Sequence, residues 1–214
     1  MSRVYQVKEC FGPTIQGEGP HQGQPCVFLR FAGCNAWDGR PETRANSACP
    51  YCDTDFRGGE AYTIDDICQR LLQLRGEVRR LGLVISGGEP LLQVDSPLLF
   101  RLDKLFHWID IETNGTRPTP WPMPAKVSVI CSPKAIVAQP IVVEPDAWKI
   151  LIPAQEAFLE QAIGGSAPVF VQPVCPDNGP SGASYDANLQ RCLDLCYRHG
   201  CRLSLQLHKY LGVP

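Results

Sequence analysis

A chain of 214 residues is long enough to bury a sizeable core, and one domain, 1–214, is expected. Its formal net charge of −2 leaves no basic excess for a phosphate backbone, so no nucleic-acid partner is expected, and its 44% hydrophobic content is ordinary for a globular protein. No apolar run reaches the roughly 18 residues that span a membrane, and the start, Met-Ser-Arg-Val-Tyr-Gln, has no apolar signal core, so the expected location is the cytoplasm.

Residues 3–10 alternate and predict a strand. The stretch 11–20, Phe-Gly-Pro-Thr-Ile-Gln-Gly-Glu-Gly-Pro, predicts a loop, either a solvated connection or one facing a ligand. Residues 26–32 predict a strand bearing Arg30, which is either an edge charge or a residue pointing into a site. Residues 35–48 form a polar insert that either folds over a site or hangs in solvent. Thr63-Ile-Asp-Asp66 resembles a capping box, opening a helix that carries Ile67, Leu71, Leu72 and Leu74 and ends near Gly76. A short apolar strand over 81–86 runs into Gly87-Gly88-Glu89-Pro90. Ser96-Pro97 reads as an N-cap followed by Pro at the first helical position of a helix reaching about Phe106. Further strands are predicted over 108–112, 126–131, 147–152 and 169–172, with a short helix over 155–163. Ser184 is a candidate cap for a helix with the stripe Leu189, Cys192, Leu193, Cys196 and Tyr197, closed by Gly200. Residues 202–207 predict the last strand.

Strands and helices in alternation imply an α/β domain with a mostly parallel sheet. Ligands of such sheets bind at the C-terminal ends of the strands. The polar segments 87–90, 113–115, 132–134 and 172–173 each follow a predicted strand and would gather at one edge.

Eleven cysteines is a high and odd count. Without a signal peptide, thiols and metal ligation outrank disulfides. Cys192 and Cys196 have the i, i+4 spacing of a metal pair, but a core stripe requires the same spacing. Cys34, Cys49 and Cys52 are separated by fourteen and by two residues. Zinc would need a fourth ligand, with His21 or His107 as candidates. A three-thiolate iron–sulfur cluster would not, and its open iron can take a small chelating molecule. Three unrelated thiols are the plain alternative. Gly87 and Gly88 permit close backbone approach to a ligand, and Glu89 can accept from an ammonium group, although such a pair is more often a turn. The Thr54 hydroxyl suits a hard cation such as Mg²⁺, or a turn.

Cys34, Cys49 and Tyr51-Cys52, followed by Ser86-Gly-Gly-Glu-Pro90, resemble the radical S-adenosylmethionine superfamily. The ordered blocks Gln16-Gly-Glu-Gly19, Phe28-Leu-Arg-Phe-Ala-Gly-Cys34, Cys52-Asp-Thr54, Ser86-Gly-Gly-Glu-Pro-Leu-Leu-Gln93, Glu112-Thr-Asn-Gly-Thr116, Ser132-Pro-Lys134, Gln172-Pro173 and Gln206-Leu-His-Lys209 are similar to the 7-carboxy-7-deazaguanine synthase family. The fourteen-residue spacing departs from the three residues usual in the superfamily and resembles a subgroup of that synthase family.

The resemblance implies a partial, elaborated TIM-like (β/α) barrel, open at one side, and a homodimer. It implies a lyase that converts 6-carboxy-5,6,7,8-tetrahydropterin to 7-carboxy-7-deazaguanine with loss of ammonia, in 7-deazapurine and queuosine biosynthesis. Its cofactors would be a [4Fe–4S] cluster, S-adenosylmethionine and Mg²⁺, with an electron donor such as flavodoxin. Cys34, Cys49 and Cys52 would hold the cluster and Thr54 the Mg²⁺. Tyr51, Gly87, Gly88, Glu89, Ser132, Pro133, Lys134 and Gln172 would contact S-adenosylmethionine. Ile15, Gln16, Gly17, Arg30, Ser86, His208 and the carboxylate of Pro214 would contact the pterin, with Arg30 suited to its carboxylate. A glycyl-radical-enzyme activase and a zinc-stabilised binding module are the competing readings.

Overall fold

The computed structural model describes residues 3–134, 144–176 and 179–214. Nine strands form one sheet: β1 (Tyr5–Ile15), β2 (Pro25–Phe31), β3 (Glu60–Tyr62), β4 (Gly82–Gly87), β5 (Ile109–Thr113), β6 (Val127–Cys131), β7 (Ala147–Ile152), β8 (Val169–Pro173) and β9 (Arg202–Leu203). Their order is β3-β1-β2-β4-β5-β6-β7-β8-β9, parallel from β2 to β9, with β1 antiparallel to both its neighbours. The helices are α1 (Ile64–Arg75), α2 (Ser96–Leu102), α3 (Leu159–Ile163), α4 (Ala183–His199) and α5 (Leu207–Leu211). The sheet is open between β3 and β9, as expected for a partial barrel.

Parity along the strands divides this sheet into two faces. Val27, Leu29 and Phe31 of β2, Leu83 and Ile85 of β4, Ile109 and Ile111 of β5, Val127 and Val129 of β6, Trp148 and Ile150 of β7, and Val171 of β8 join one apolar core with α1, α2 and α4. The alternate residues face the other way. Cys26, Val84 and Trp108 form one small apolar group there, and Ile130, Ala147 and Phe170 another. Nearer the C-terminal ends, that same face carries Arg30, Ser86, Glu112, Ser132, Lys149 and Gln172. Strands buried on both faces read as continuous apolar runs, so these polar interruptions mark the site.

Several local expectations are corrected. Residues 11–15 are strand, not loop: β1 continues to Ile15, opposite Phe28, Cys26 and Pro25, with an irregularity between Phe11 and Thr14. Such a bulge absorbs the Gly-Pro pair that would break a regular ladder. β3 has no counterpart among the predicted strands, being three residues long at the sheet edge. The cap of α2 is Asp95, whose carboxylate accepts from the Leu98 amide at 3.0 Å, and the helix stops at Leu102 rather than near Phe106. Ser184 lies inside α4, which starts after Gly182 without a side-chain cap. The buried residues of α4 are Tyr185, Cys192 and Leu195, whereas Tyr197 is exposed. The strand over 202–207 shrinks to β9, and Leu207 opens α5. The capping box at Thr63 and the left-handed Gly200 stand as expected.

Candidate active site

A cavity of about 950 Å³ opens at the C-terminal ends of the strands. Cys49, Tyr51, Cys52, Gly88 and Lys134 lie on its wall, as do Arg30, Thr54, Gln16, Glu18, Glu112, Lys149, His208 and Pro214. A second cavity of about 340 Å³ is lined by Gly33 and Cys34, and Trp37 borders both.

The cysteine loop follows β2 and is stitched to its neighbours. Gly88 donates to the Phe31 carbonyl at 3.3 Å and Glu89 to the Gly33 carbonyl at 3.0 Å. A Cβ on Gly88 would stand 2.1 Å from the Gly33 oxygen and 2.6 Å from Cys34 Cβ, and one on Gly87 would stand 2.5 Å from the Phe31 oxygen. The two glycines are therefore required by the packing of one chain segment on another. Glu89 is fully buried, and its carboxylate accepts from the Leu91 amide (2.9 Å), the Thr113 hydroxyl (2.8 Å) and the Asn114 amide (2.7 Å). The Thr113 and Asn114 bonds join the end of β4 to the end of β5, and the Leu91 bond closes the turn after β4. Pro133 is buried and is not part of the cavity wall.

The insert at 35–48 folds onto this scaffold. Asn35 donates to Thr116 Oγ1 at 2.7 Å and accepts from Asn114 Nδ2 at 3.0 Å. A 3-10 turn over Pro41–Asn46 follows, with no buried residue. From it, Arg44 reaches the carbonyls of Pro50 (3.0 Å) and Cys52 (2.7 Å), holding the Cys49–Cys52 turn. The Ala36 amide points at Cys34 Sγ at 3.4 Å. Burial raises the Cys34, Cys49 and Cys52 thiols, Cys49 to about 11, and each of Cys34 and Cys49 is also raised by a neighbouring member of the trio. All cysteines are free. Among the described residues no three His, Cys, Asp or Glu converge to hold a single metal ion, at Cys192 and Cys196 or elsewhere, and His21 is engaged by Asp110 at 2.8 Å.

Beside the thiols, Lys134 lies 5.7 Å above the Tyr51 ring and donates to Ser132 Oγ at 3.1 Å, while Gln155 donates to Tyr51 Oη at 3.4 Å. Burial lowers the Lys134 ammonium below its ordinary value. Gln172 accepts from Ser204 Oγ at 2.8 Å.

Across the cavity, Arg30 donates to Glu9 at 2.8 Å and to Thr54 Oγ1 at 3.4 Å, with its guanidinium 5.5 Å from the Phe11 ring. Phe11 itself stacks on Phe28 at 4.7 Å. Gly17 has no room for a side chain, since a Cβ would meet His208 Nδ1 at 2.1 Å. Ile15 and Ser86 complete this wall, and Pro214 accepts from Thr14 Oγ1 at 2.8 Å.

The ion triad of the buried Lys149 with the half-buried Glu18 and Glu112 was missed from sequence. Burial pushes Glu18 up, but the Lys149 ammonium outweighs it and holds Glu18 down at about 2. Burial prevails at Glu112, which is raised, and burial lowers Lys149 less than the two carboxylates raise it. Gln16 donates to Glu112 at 3.4 Å and Gln206 to Glu18 at 2.8 Å. The one available signal was Lys149 itself, a charge inside the apolar run Ala-Trp-Lys-Ile-Leu-Ile.

No family model matches the chain. It is 41% identical over 221 residues to the 7-carboxy-7-deazaguanine synthase of Burkholderia multivorans, covering 99% of this chain and 100% of that protein. Synthases of the same name from Bordetella pertussis and Caulobacter vibrioides are 40% and 38% identical, again over 99% of this chain and 100% of theirs. The crystal structure of QueE from Escherichia coli is similar in fold, with a TM-score of 0.70 at 23% identity over 95% of this chain and 94% of that one.

Proposed function

The chain belongs to the 7-carboxy-7-deazaguanine synthase family, and on that premise we propose that it is a radical S-adenosylmethionine lyase forming 7-carboxy-7-deazaguanine from 6-carboxy-5,6,7,8-tetrahydropterin with loss of ammonia, within queuosine biosynthesis. The observation that carries the reading is the polarity of one cavity. Thiols and a half-buried ammonium stand at one end, and a guanidinium, amides and carboxylates suited to a pterin stand at the other.

The residues fit the implied cofactors. Three thiols on a loop with a backbone N–H aimed at one sulfur form a donor set for a [4Fe–4S] cluster with an open iron. The Gly87-Gly88 segment, Tyr51, Ser132, Lys134 and Gln172 surround the space beside it for S-adenosylmethionine, with Lys134 supplying positive charge for its carboxylate. Bound together, the cluster and S-adenosylmethionine supply the hydrogen-abstracting 5′-deoxyadenosyl radical.

The remaining work belongs to side chains of this protein. Arg30 takes the substrate carboxylate; its Nε is already oriented by Glu9, and its Nη1 is directed at Thr54. Thr54 offers one oxygen to Mg²⁺, an ion that keeps most of its waters and shares few protein ligands. A substrate carboxylate between Arg30 and that ion would satisfy two positive charges at once. Glu18, held ionised by Lys149, accepts from the pterin amino and ring N–H groups. Glu112, paired with Lys149 and accepting from Gln16, lines the same end of the cavity. His208, seated against Gly17, is lowered by burial, so its neutral ring bonds to the substrate rather than repelling Arg30. Ile15, Gln16, Ser86 and Pro214 shape the same end. A homodimer, a cytoplasmic setting and a flavodoxin-type electron donor complete the proposal.

Anaerobic reconstitution with iron and sulfide, followed by assay with the carboxytetrahydropterin, tests it. The expected result is 7-carboxy-7-deazaguanine formation dependent on S-adenosylmethionine. A fully loaded cluster without product overturns the reading.

A further inference from the structure

One carboxyl–imidazole pair outside the cavity wall is not used by the chemistry above. Asp110 faces the same side of β5 as Glu112, is fully buried, and its Oδ1 accepts no hydrogen bond from any described residue. Its Oδ2 lies 2.8 Å from Nδ1 of His21. The His21 ring lies flat on Trp108, with centroids 4.0 Å apart and 8° between the planes. Trp108 in turn covers Gly82, where a Cβ would stand 2.1 Å from the indole. A buried carboxylate is expensive to desolvate unless it is paired. Lys149 and Asp146 also bear on Asp110 electrostatically, but its hydrogen-bond partner is His21.

His21 sits at the turn of the β1–β2 connection, residues 16–24. That connection is closed on itself: Gln16 donates to Gln24 O at 2.8 Å, Gly23 to Gln16 O at 2.8 Å, and Gln24 to His21 O at 3.0 Å. A unit closed this way moves as one piece, so anchoring the turn also anchors Gln16 and Glu18. We propose that His21 is a positioning residue, whose bond to Asp110 bolts the β1–β2 connection to β5 and thereby sets where Gln16 and Glu18 stand against the substrate. β5 then grips the connection twice, through Asp110 at the turn and through Glu112, which accepts from Gln16 and shares Lys149 with Glu18. The inference rests on Gln16 and Glu18 facing the substrate, as proposed above.

The test is a set of holoenzyme variants. His21→Phe combined with Asp110→Asn keeps the stack on Trp108, removes the bolt and leaves no unpaired buried charge. The expected result is a KM for the pterin raised about tenfold, with kcat and the KM for S-adenosylmethionine changed by less than about twofold. Amide exchange at Gly23 and Gln24 should accelerate about tenfold or more. His21→Gln, which keeps an N–H donor for Asp110, should return both quantities to within about threefold of the parent. Unchanged exchange overturns the bolt; faster exchange with an unchanged pterin KM overturns its role in positioning; a Gln variant no better than the double variant overturns the hydrogen bond as the cause. The exchange arm needs no substrate, so if the parent makes no product from the pterin, the proposed activity fails while exchange still decides the bolt.

Discussion

Lys149 sets the charge of the cavity floor, since it stands between Glu18 and Glu112 with almost no exposure to solvent. Replacing it with Met leaves two half-buried carboxylates on the cavity wall without a cation. Breaking a buried ion group in this way costs about 3–5 kcal/mol. Anaerobic chemical denaturation of Lys149→Met should show a loss of that order, and a loss under about 1 kcal/mol would contradict the triad's weight. Gly88 is the opposite kind of residue, important for what it lacks. In Gly88→Ala the new methyl group meets Gly33 O at 2.1 Å, and that oxygen is backbone and cannot rotate away. The cysteine loop must then shift, so iron and sulfide bound per chain should fall well below the parent value. Full cluster content in this variant would show that the loop tolerates the displacement.

At the scale of elements, the insert over 35–48 has a task the strands do not provide. Its 3-10 turn buries nothing, so no apolar periodicity announces it, and its path is set by polar contacts from Asn35 and Arg44 to residues distant in the fold or around the turn. The Arg44 guanidinium ties two carbonyls of the cysteine turn. In Arg44→Gln the amide cannot span both, and the turn should open more readily. Bleaching of the cluster absorbance by a chelator should be several-fold faster, about what the loss of 1–2 kcal/mol of charge-assisted hydrogen bonding gives. An unchanged bleaching rate would mean that the insert is only draped over the loop. By contrast α1 was largely readable, although Leu72, counted in its apolar stripe, is exposed. Thr63 and Asp66 bond reciprocally, and Ile67, Cys68 and Leu71 are buried at helical spacing. Local rules suffice where the cap and the stripe lie within one element, and they misplaced the cap of α2 because Asp95 and Ser96 are both good cap residues.

Across the whole molecule, the chain end comes back to its beginning. Leu207 donates to the Gly17 carbonyl at 3.0 Å, which seats His208 between the β1–β2 connection and the cavity. Burial holds His208 below its ordinary value, so the folded chain binds fewer protons there than the unfolded chain. The sign follows: this group leaves stability untouched at high pH and removes it as the pH falls below about 6.5, the unfolded value. His208→Gln cannot titrate, so its denaturation midpoint should decline less than the parent's between about pH 7 and pH 5. Parallel curves for the two proteins would remove His208 from the acid response.

Strand by strand, the apolar alternation, the Gly-Gly-Glu-Pro run and the three cysteine positions were present in the sequence, because hydrophobic period and turn chemistry are local properties. They were enough for the α/β class, for the parallel sheet and for the edge at which the polar segments gather. What the tertiary structure decided was which side chains meet. Glu89 ties the end of β4 to the end of β5, a pairing no local pattern announced, and residues 11–15 proved to be strand. The Glu18–Lys149–Glu112 triad pairs Lys149 with residues 131 and 37 positions away. Such pairings depend on sheet order and strand register, and neither is encoded within any short window of the chain.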